Sequence, residues 1–172
     1  MKPDKTLRKF EQTLGAWRER LKPRSDEDFA KPPADGGWTI GQVCNHISAA
    51  SDMMLRGAEA CAQGAGEKKG FSPMPAFMTF IGSFPPGRFK IPPALKELAN
   101  PSPISKAQAI ERLDAIENKM RALQESVAAA PKDIKSKHPA AGWLNASQWY
   151  QITEMHMRHH LRQLGRIEKS LG

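Results

Sequence analysis

Three histidines are spaced to share one ion. His156 and His160 stand four apart in the run His156-Met157-Arg158-His159-His160, and residues four apart on an α-helix lie almost one above the other. On a wheel of about 100° per residue they fall within ~40° of each other, in an apolar stripe with Trp149, Ile152 and Ile167. His46 shares a face of an earlier predicted helix with Val43, Ala50, Met53 and Gly57. Three neutral imidazoles on one divalent ion leave a position for water or a substrate thiolate, the pattern of a catalytic rather than a closed structural site. Such an ion lowers the pKa of what it binds and makes a nucleophile available near neutral pH. The competing reading is a hydrogen-bonded histidine cluster in the core. It has to find partners for all four ring nitrogens of His156 and His160, at about 1–3 kcal/mol for each buried group left unpaired.

The neighbours of these histidines offer less. Gln163 lies on the same face one turn beyond His160, placed either to orient a ligand or bound water or to link helices as a buried amide. His159 falls at the edge of the stripe. Glu154 and Asp52 are close in sequence, but the wheel turns both away from the inward face, so no general base is evident. Thiol transfer activated by the metal would not need one. His138, in the turn Lys137-His138-Pro139, is expected at the solvent or as a loop contact.

Four amphipathic segments must position the set. Leu7, Phe10, Leu14, Trp17 and Leu21 recur at threes and fours over Asp4 to Lys22, a helix stopped by Pro23. A polar linker follows, punctuated by Pro32-Pro33 and Gly36-Gly37. Thr39-Ile40-Gly41-Gln42 reads as a capping box opening the His46 helix, which runs to about Gln63. Ser105-Lys106-Ala107-Gln108 opens a third helix that ends before Pro131, and Asn145-Ala146-Ser147-Gln148 opens the helix of His156 and His160, ending near Leu171. With almost no strand signal, the expected fold class is all-α, a four-helix bundle. Residues 64 to 104 hold most of the prolines together with Phe71, Phe77, Phe80, Phe84 and Phe89. The phenylalanines suggest a packed segment, with a short helix from Ala76 to Ile81, that either walls a pocket or simply crosses between helix ends.

Composition narrows the classes. At 172 residues and 19.1 kDa, 40% hydrophobic and 26% charged, the chain reads as one globular domain over 1–172. No apolar run approaches the roughly 20 residues that span a bilayer, and Met1-Lys2-Pro3-Asp4-Lys5 starts no signal-peptide block, so a cytoplasmic protein without a membrane partner is expected. Cys44 and Cys61 sit on the same predicted helix, about 25 Å apart at ~1.5 Å per residue, too far for a disulfide. Cys44 faces away from His46. Twenty-six Lys and Arg against 18 Asp and Glu give a formal charge of +8. The basic residues are dispersed, with no nucleic-acid reading motif, which leaves solvated helix faces or a basic rim for a small anionic substrate.

Two stretches carry a family resemblance: Trp38-Thr39-Ile40-Gly41-Gln42-Val43-Cys44-Asn45-His46-Ile47, and His138-Pro139-Ala140-Ala141-Gly142-Trp143-Leu144 with Gln148-Trp149 and His156 to Leu164. Together they resemble the two motifs of the DinB/YfiT-like superfamily of metal-dependent enzymes. The resemblance implies an up-down-down-up bundle with a long Pro-rich crossover between helices 2 and 3. It places a divalent ion, most often zinc or nickel, on His46, His156 and His160, and it implies a homodimer. The family includes hydrolases and thiol-dependent transferases and isomerases, so a small-molecule substrate or thiol cofactor is implied; a non-catalytic metal- or ligand-binding bundle is the alternative. Its name, from DNA-damage induction, does not imply nucleic-acid binding. Ala140-Ala141-Gly142 replaces a bulkier aromatic turn in the second motif, which loosens any transfer of substrate class.

Overall fold

Three of the four long helices begin at a reciprocal capping box, where a side chain and a backbone amide satisfy each other. Gln42 N donates to Thr39 Oγ1 at 3.1 Å while Thr39 N donates to Gln42 Oε1 at 2.9 Å. Ser105 pairs with Gln108, and Asn145 with Gln148, in the same way. Each cap is worth about 1 kcal/mol. The structure, a computed structural model, describes residues 1–34, 36–84 and 96–171. Its elements are α1 (Pro3–Leu21), α2 (Asp26–Ala30), α3 (Ile40–Ala62), β1 (Glu67–Lys68), α4 (Pro73–Ile81), α5 (Lys96–Ala99), α6 (Lys106–Ala129), β2 (Ile134–His138), β3 (Gly142–Asn145) and α7 (Ala146–Leu171).

Side-chain ties fix the direction of each helix in a four-helix bundle of α1, α3, α6 and α7. Along α1 and α7, Thr13 meets Glu154, Trp17 donates to the Met157 carbonyl and Arg20 to the Leu161 carbonyl, so the two run parallel. His46 of α3 meets His156 while Gly57 meets Trp149, so α3 runs against α7. Asn45 pairs with Arg112 and Asp52 with Lys119, which makes α3 and α6 parallel. The order is therefore up, down, down, up. Two parallel neighbours cannot be joined by a tight turn, which is why α3 and α6 are separated by a long connection.

The core contains Phe10, Leu14, Trp17 and Leu21 of α1, Ile47 and Leu55 of α3, Leu113 and Met120 of α6, and Tyr150 and Leu164 of α7, all nearly or fully buried. Burying a side chain of this size contributes about 1.5–3 kcal/mol. Gly57 sets how close α3 comes to α7: a Cβ there would lie 2.7 Å from the Trp149 ring. This close approach lets imidazoles from facing helices meet further along the pair.

The structure departs from the sequence-based expectations in three places. The linker after α1 contains α2, started by a Ser25–Asp28 capping box and anchored by buried Phe29. A small antiparallel sheet of order β1-β2-β3 lies where no strand is expected. Its central strand, Ile134-Lys-Ser-Lys-His, looks polar because Lys135 is buried, donating to the Gly70 carbonyl and to Ser72 Oγ. The phenylalanines of the crossover are not all packed: Phe71, Phe77 and Phe80 are exposed, because α4 turns Pro75, Met78 and Thr79 inward instead. Helix α4 also begins earlier than expected, with Pro73 and Pro75 in its first turn, where a missing N–H breaks no helical hydrogen bond. Phe89, Pro85-Pro86 and Pro92-Pro93 lie outside the described residues. No helix among the described residues is long and apolar enough to cross a membrane.

Candidate metal centre

His46 rises from the second turn of α3, and His156 and His160 from consecutive turns of α7. The three are brought together with their Nε2 atoms converging: His46 Nε2 lies 3.2 Å and His160 Nε2 3.1 Å from His156 Nε2. All three candidate ligand atoms fall within 4.8 Å of one another, and among the described residues no other group of three His, Cys, Asp or Glu is so placed.

The outer nitrogens decide the protonation. His46 Nδ1 is 2.7 Å from the Leu98 carbonyl oxygen, which can only accept, so Nδ1 carries the proton and Nε2 presents a lone pair. His160 Nδ1 donates to Gln163 Oε1 at 2.7 Å, with the same consequence. Gln163 thus orients a ring of the cluster. Two lone pairs aim at His156 Nε2, and one N–H there could satisfy only one of them well. His156 Nδ1 is buried without a partner, and an ion on Nε2 would leave it so.

A cation between the three Nε2 atoms would meet all the converging lone pairs at once. Two nitrogens bound at ~2.0–2.1 Å to one zinc-like ion stand at most ~4.2 Å apart, so the separations of 3.2 and 3.1 Å fit a shared ion. Hydrogen bonding of the outer imidazole nitrogen to a carbonyl or amide oxygen is the usual support of a metal-binding histidine. Burial also holds the rings neutral: it lowers His46, drives His156 well below the ordinary range and pushes His160 down to about 3, with neighbouring histidine charges adding to the effect. Neutral imidazole is the form that binds metal.

Aromatic rings enclose the cluster. Trp38, immediately before the α3 cap, lies 4.9 Å from the His46 ring and stacks at 6.4 Å on His160. Phe84 presents its ring edge-on to His156 and His159. His159 is exposed and meets His160 at 5.1 Å, outside the converging set.

The remaining candidates lie elsewhere. Of the two expected places for His138, at the solvent or as a loop contact, the structure shows the second: it is buried at the end of β2, its Nδ1 accepts from the turn amides of Ala140 and Ala141 at 3.0 Å each, and its ring packs on Trp149. Glu154 is also buried, because α1 covers the side of α7 that the wheel treats as outward. It accepts from Thr13 and forms an ion pair with Arg158. Asp52 pairs with Arg56 and Lys119 at the surface of α3. Cys44 and Cys61 are free and buried, and burial pushes the Cys44 thiol up to about 12, far from a thiolate ligand. Phe84 lies in the crossover expected either to wall a pocket or to cross between helix ends, whereas the contributions of Trp38 and the Leu98 carbonyl to the cluster are not among the sequence-based expectations. Trp38 was detectable as a large aromatic next to a helix cap; a backbone carbonyl leaves no trace in residue type.

Comparison with known proteins gives a family and a fold. A family model described as the DinB superfamily matches residues 9–164. The chain is similar in fold to YfiT from Bacillus subtilis, described as a probable metal-dependent hydrolase with an unusual four-helix bundle topology. The TM-score is 0.64 at 15% identity, over 99% of this chain and 87% of that one. It is also similar to TT2238, a four-helix bundle protein, with a TM-score of 0.60 at 19% identity, over 95% of this chain and 98% of that one. No curated protein matches the chain.

Proposed function

The chain belongs to the DinB superfamily, and from that premise we propose that it is a metal-dependent enzyme that holds one divalent ion, zinc or nickel, on Nε2 of His46, His156 and His160. The observation that carries this reading is the convergence of the three Nε2 atoms, two of them oriented by hydrogen bonds at the outer ring nitrogen. When bound, the ion would supply Lewis acidity that makes water or a thiol nucleophilic near neutral pH.

The protein's own groups divide the remaining work. Leu98 O and Gln163 Oε1 orient the His46 and His160 rings, and Trp38 and Phe84 provide an apolar surround that limits water. Glu154, the carboxylate nearest His156 in sequence, is engaged by Thr13 and Arg158. This favours chemistry that needs no carboxylate base, such as thiol transfer to a small electrophile or hydrolysis of an activated small-molecule substrate. The two buried free thiols suit a reducing cytoplasm. A bundle that binds metal without turnover shares these contacts, and the missing carboxylate base is what keeps that reading in contention.

Metal content of untagged protein, measured by inductively coupled plasma mass spectrometry, tests the proposal. Near-stoichiometric zinc or nickel is expected in the wild type and its loss in His46→Ala and His160→Ala. Wild-type protein that takes up no divalent metal, even after incubation with it, would overturn the proposal. A loaded protein inactive towards thiols with electrophiles, and towards esters and amides, would leave only the binding role.

A further inference from the structure

Helix α4 is docked on α7 by the last carbonyls of its own backbone. A helix leaves its C-terminal carbonyls without partners inside the helix, and α7 supplies two: Gln151 Nε2 donates to the Thr79 carbonyl at 2.5 Å, and Arg158 Nη2 to the Gly82 carbonyl at 2.6 Å. Gly82 is where α4 stops, in the left-handed conformation at φ 64°. Arg158 is itself fixed from the other direction. Its Nε donates to Glu154 Oε1 at 2.8 Å and its Nη2 to Oε2 at 3.3 Å, and Glu154, only 1% exposed, also accepts from Thr13 of α1 at 3.2 Å. The planar guanidinium serves a carboxylate and a carbonyl together, a fork that a lysine ammonium on its flexible stem does not reproduce. Its charge also suits the negative end of α4.

The consequence lies two residues further on. On a helical wheel Arg158 stands about 200° round α7 from His156, on the face of Gln151 and Glu154, so it does not reach the converging nitrogens. Phe84 is on the other side, its ring centroid 6.4 Å from that of His156 and 6.1 Å from that of His159, edge to face in both pairs. The chain from Gly82 to Phe84 therefore passes from the Arg158 side of α7 to the histidine side, and the point at which Gly82 is pinned sets where the Phe84 ring rests. We propose that Arg158 is a positioning residue: by bridging Glu154 and the Gly82 carbonyl it holds the Phe84 ring against His156 and so limits which molecules reach the histidine cluster. This deepens the metal-centre reading, in which His156 is a ligand, but access to the ring is limited whether or not an ion is bound.

Labelling of the metal-free full chain with diethyl pyrocarbonate, which acylates neutral imidazole, tests it, with the rate at each histidine read by peptide mass spectrometry. Arg158→Lys keeps a cation for Glu154 and loses the fork. It should raise the rate at His156 about 10-fold through easier local opening, with the His138 rate and the helical circular dichroism unchanged. Phe84→Ala should raise the His156 rate at least as much. Adding Arg158→Lys to Phe84→Ala should change nothing further, because both act through one ring. Should Arg158→Lys fail to fold, Glu154→Leu/Arg158→Met, which exchanges the pair for apolar groups as proteins often tolerate, should give the same rise. An unchanged His156 rate in Arg158→Lys overturns the proposal, as does a rise that persists in full on top of Phe84→Ala, since Arg158 would then act by another route than the ring. An equal rise at His138 also overturns it, making Arg158 a general support of the fold. With no metal present, these outcomes are independent of the metal uptake that decides the reading above.

Discussion

The chain buries histidine in two ways, and the two environments meet near α7. His138 is satisfied by its own turn, with two backbone amides donating to Nδ1 and Trp149 against its ring. His46, His156 and His160 are arranged so that satisfaction is impossible from within: the outer nitrogens of two rings are hydrogen-bonded, and the inner nitrogens face one another. Burial holds both sets neutral, with His138 pushed down to about 4 and His160 to about 3. A buried, proton-poor imidazole is thus no indication of a metal site by itself. Convergence of oriented lone pairs on one point is the distinguishing feature.

The sharpest break of this comparison is a pair of leucine substitutions. In His156→Leu, divalent-metal affinity should fall at least about 10³-fold, or ~4 kcal/mol, read by competition with a chelator. The same change removes the unpartnered Nδ1, so the metal-free protein should be as resistant to urea as the wild type or more so. His138→Leu should do the opposite, keeping the metal and losing about 2–4 kcal/mol of unfolding free energy, because the Ala140 and Ala141 amides lose their acceptor. Equal losses of metal-free stability in the two variants would make the cluster an ordinary piece of core.

The difference between the two environments was only partly legible in the sequence. His156 and His160 at i, i+4 within an apolar stripe, and the three capping boxes, depend on local periodicity, and the structure places those helices and the converging rings as expected. His138 depends on tertiary context: its burial needs β2, and β2 is inconspicuous because Lys135 reaches Gly70 and Ser72 from inside a polar-looking strand. Glu154 shows the limit of a wheel with one inward face, since α7 is covered from several directions and residues 149–155 are all buried. Phe77 and Phe80 show the converse, large apolar residues that the fold of one copy leaves at the surface.

Acid should expose both histidine environments in the metal-free protein. An unfolded histidine has a pKa of ~6.5, whereas burial pushes His138 down to about 4 and His160 down to about 3, and lowers His46 and His156 as well. The unfolded chain therefore binds more protons below pH ~6.5, and stability is lost as pH falls from there towards about 4, where His138 of the folded form begins to charge. His138 alone accounts for about 3 kcal/mol of that loss. Urea midpoints measured across this range should decline less steeply in His138→Leu than in the wild type. Parallel declines would mean that the His138 ring is not held neutral by the fold.

The smallest expected effect tests how the cluster is oriented rather than what it binds. Gln163 accepts the His160 Nδ1 proton and touches none of the converging nitrogens, so its removal leaves three imidazoles with one ring free to rotate or change tautomer. Gln163→Leu should weaken metal binding by about 10- to 100-fold, the usual penalty for losing such a support, or roughly 1.4–2.7 kcal/mol. Gln163→Glu supplies an acceptor of the same length with negative charge and should retain or raise affinity. The two variants separate orientation from packing, because both keep a side chain of similar size beside His160. If both lose affinity equally, the contribution of Gln163 is to packing between helices; if only the leucine variant does, the His160 tautomer is set from outside the cluster, as the Leu98 carbonyl sets that of His46.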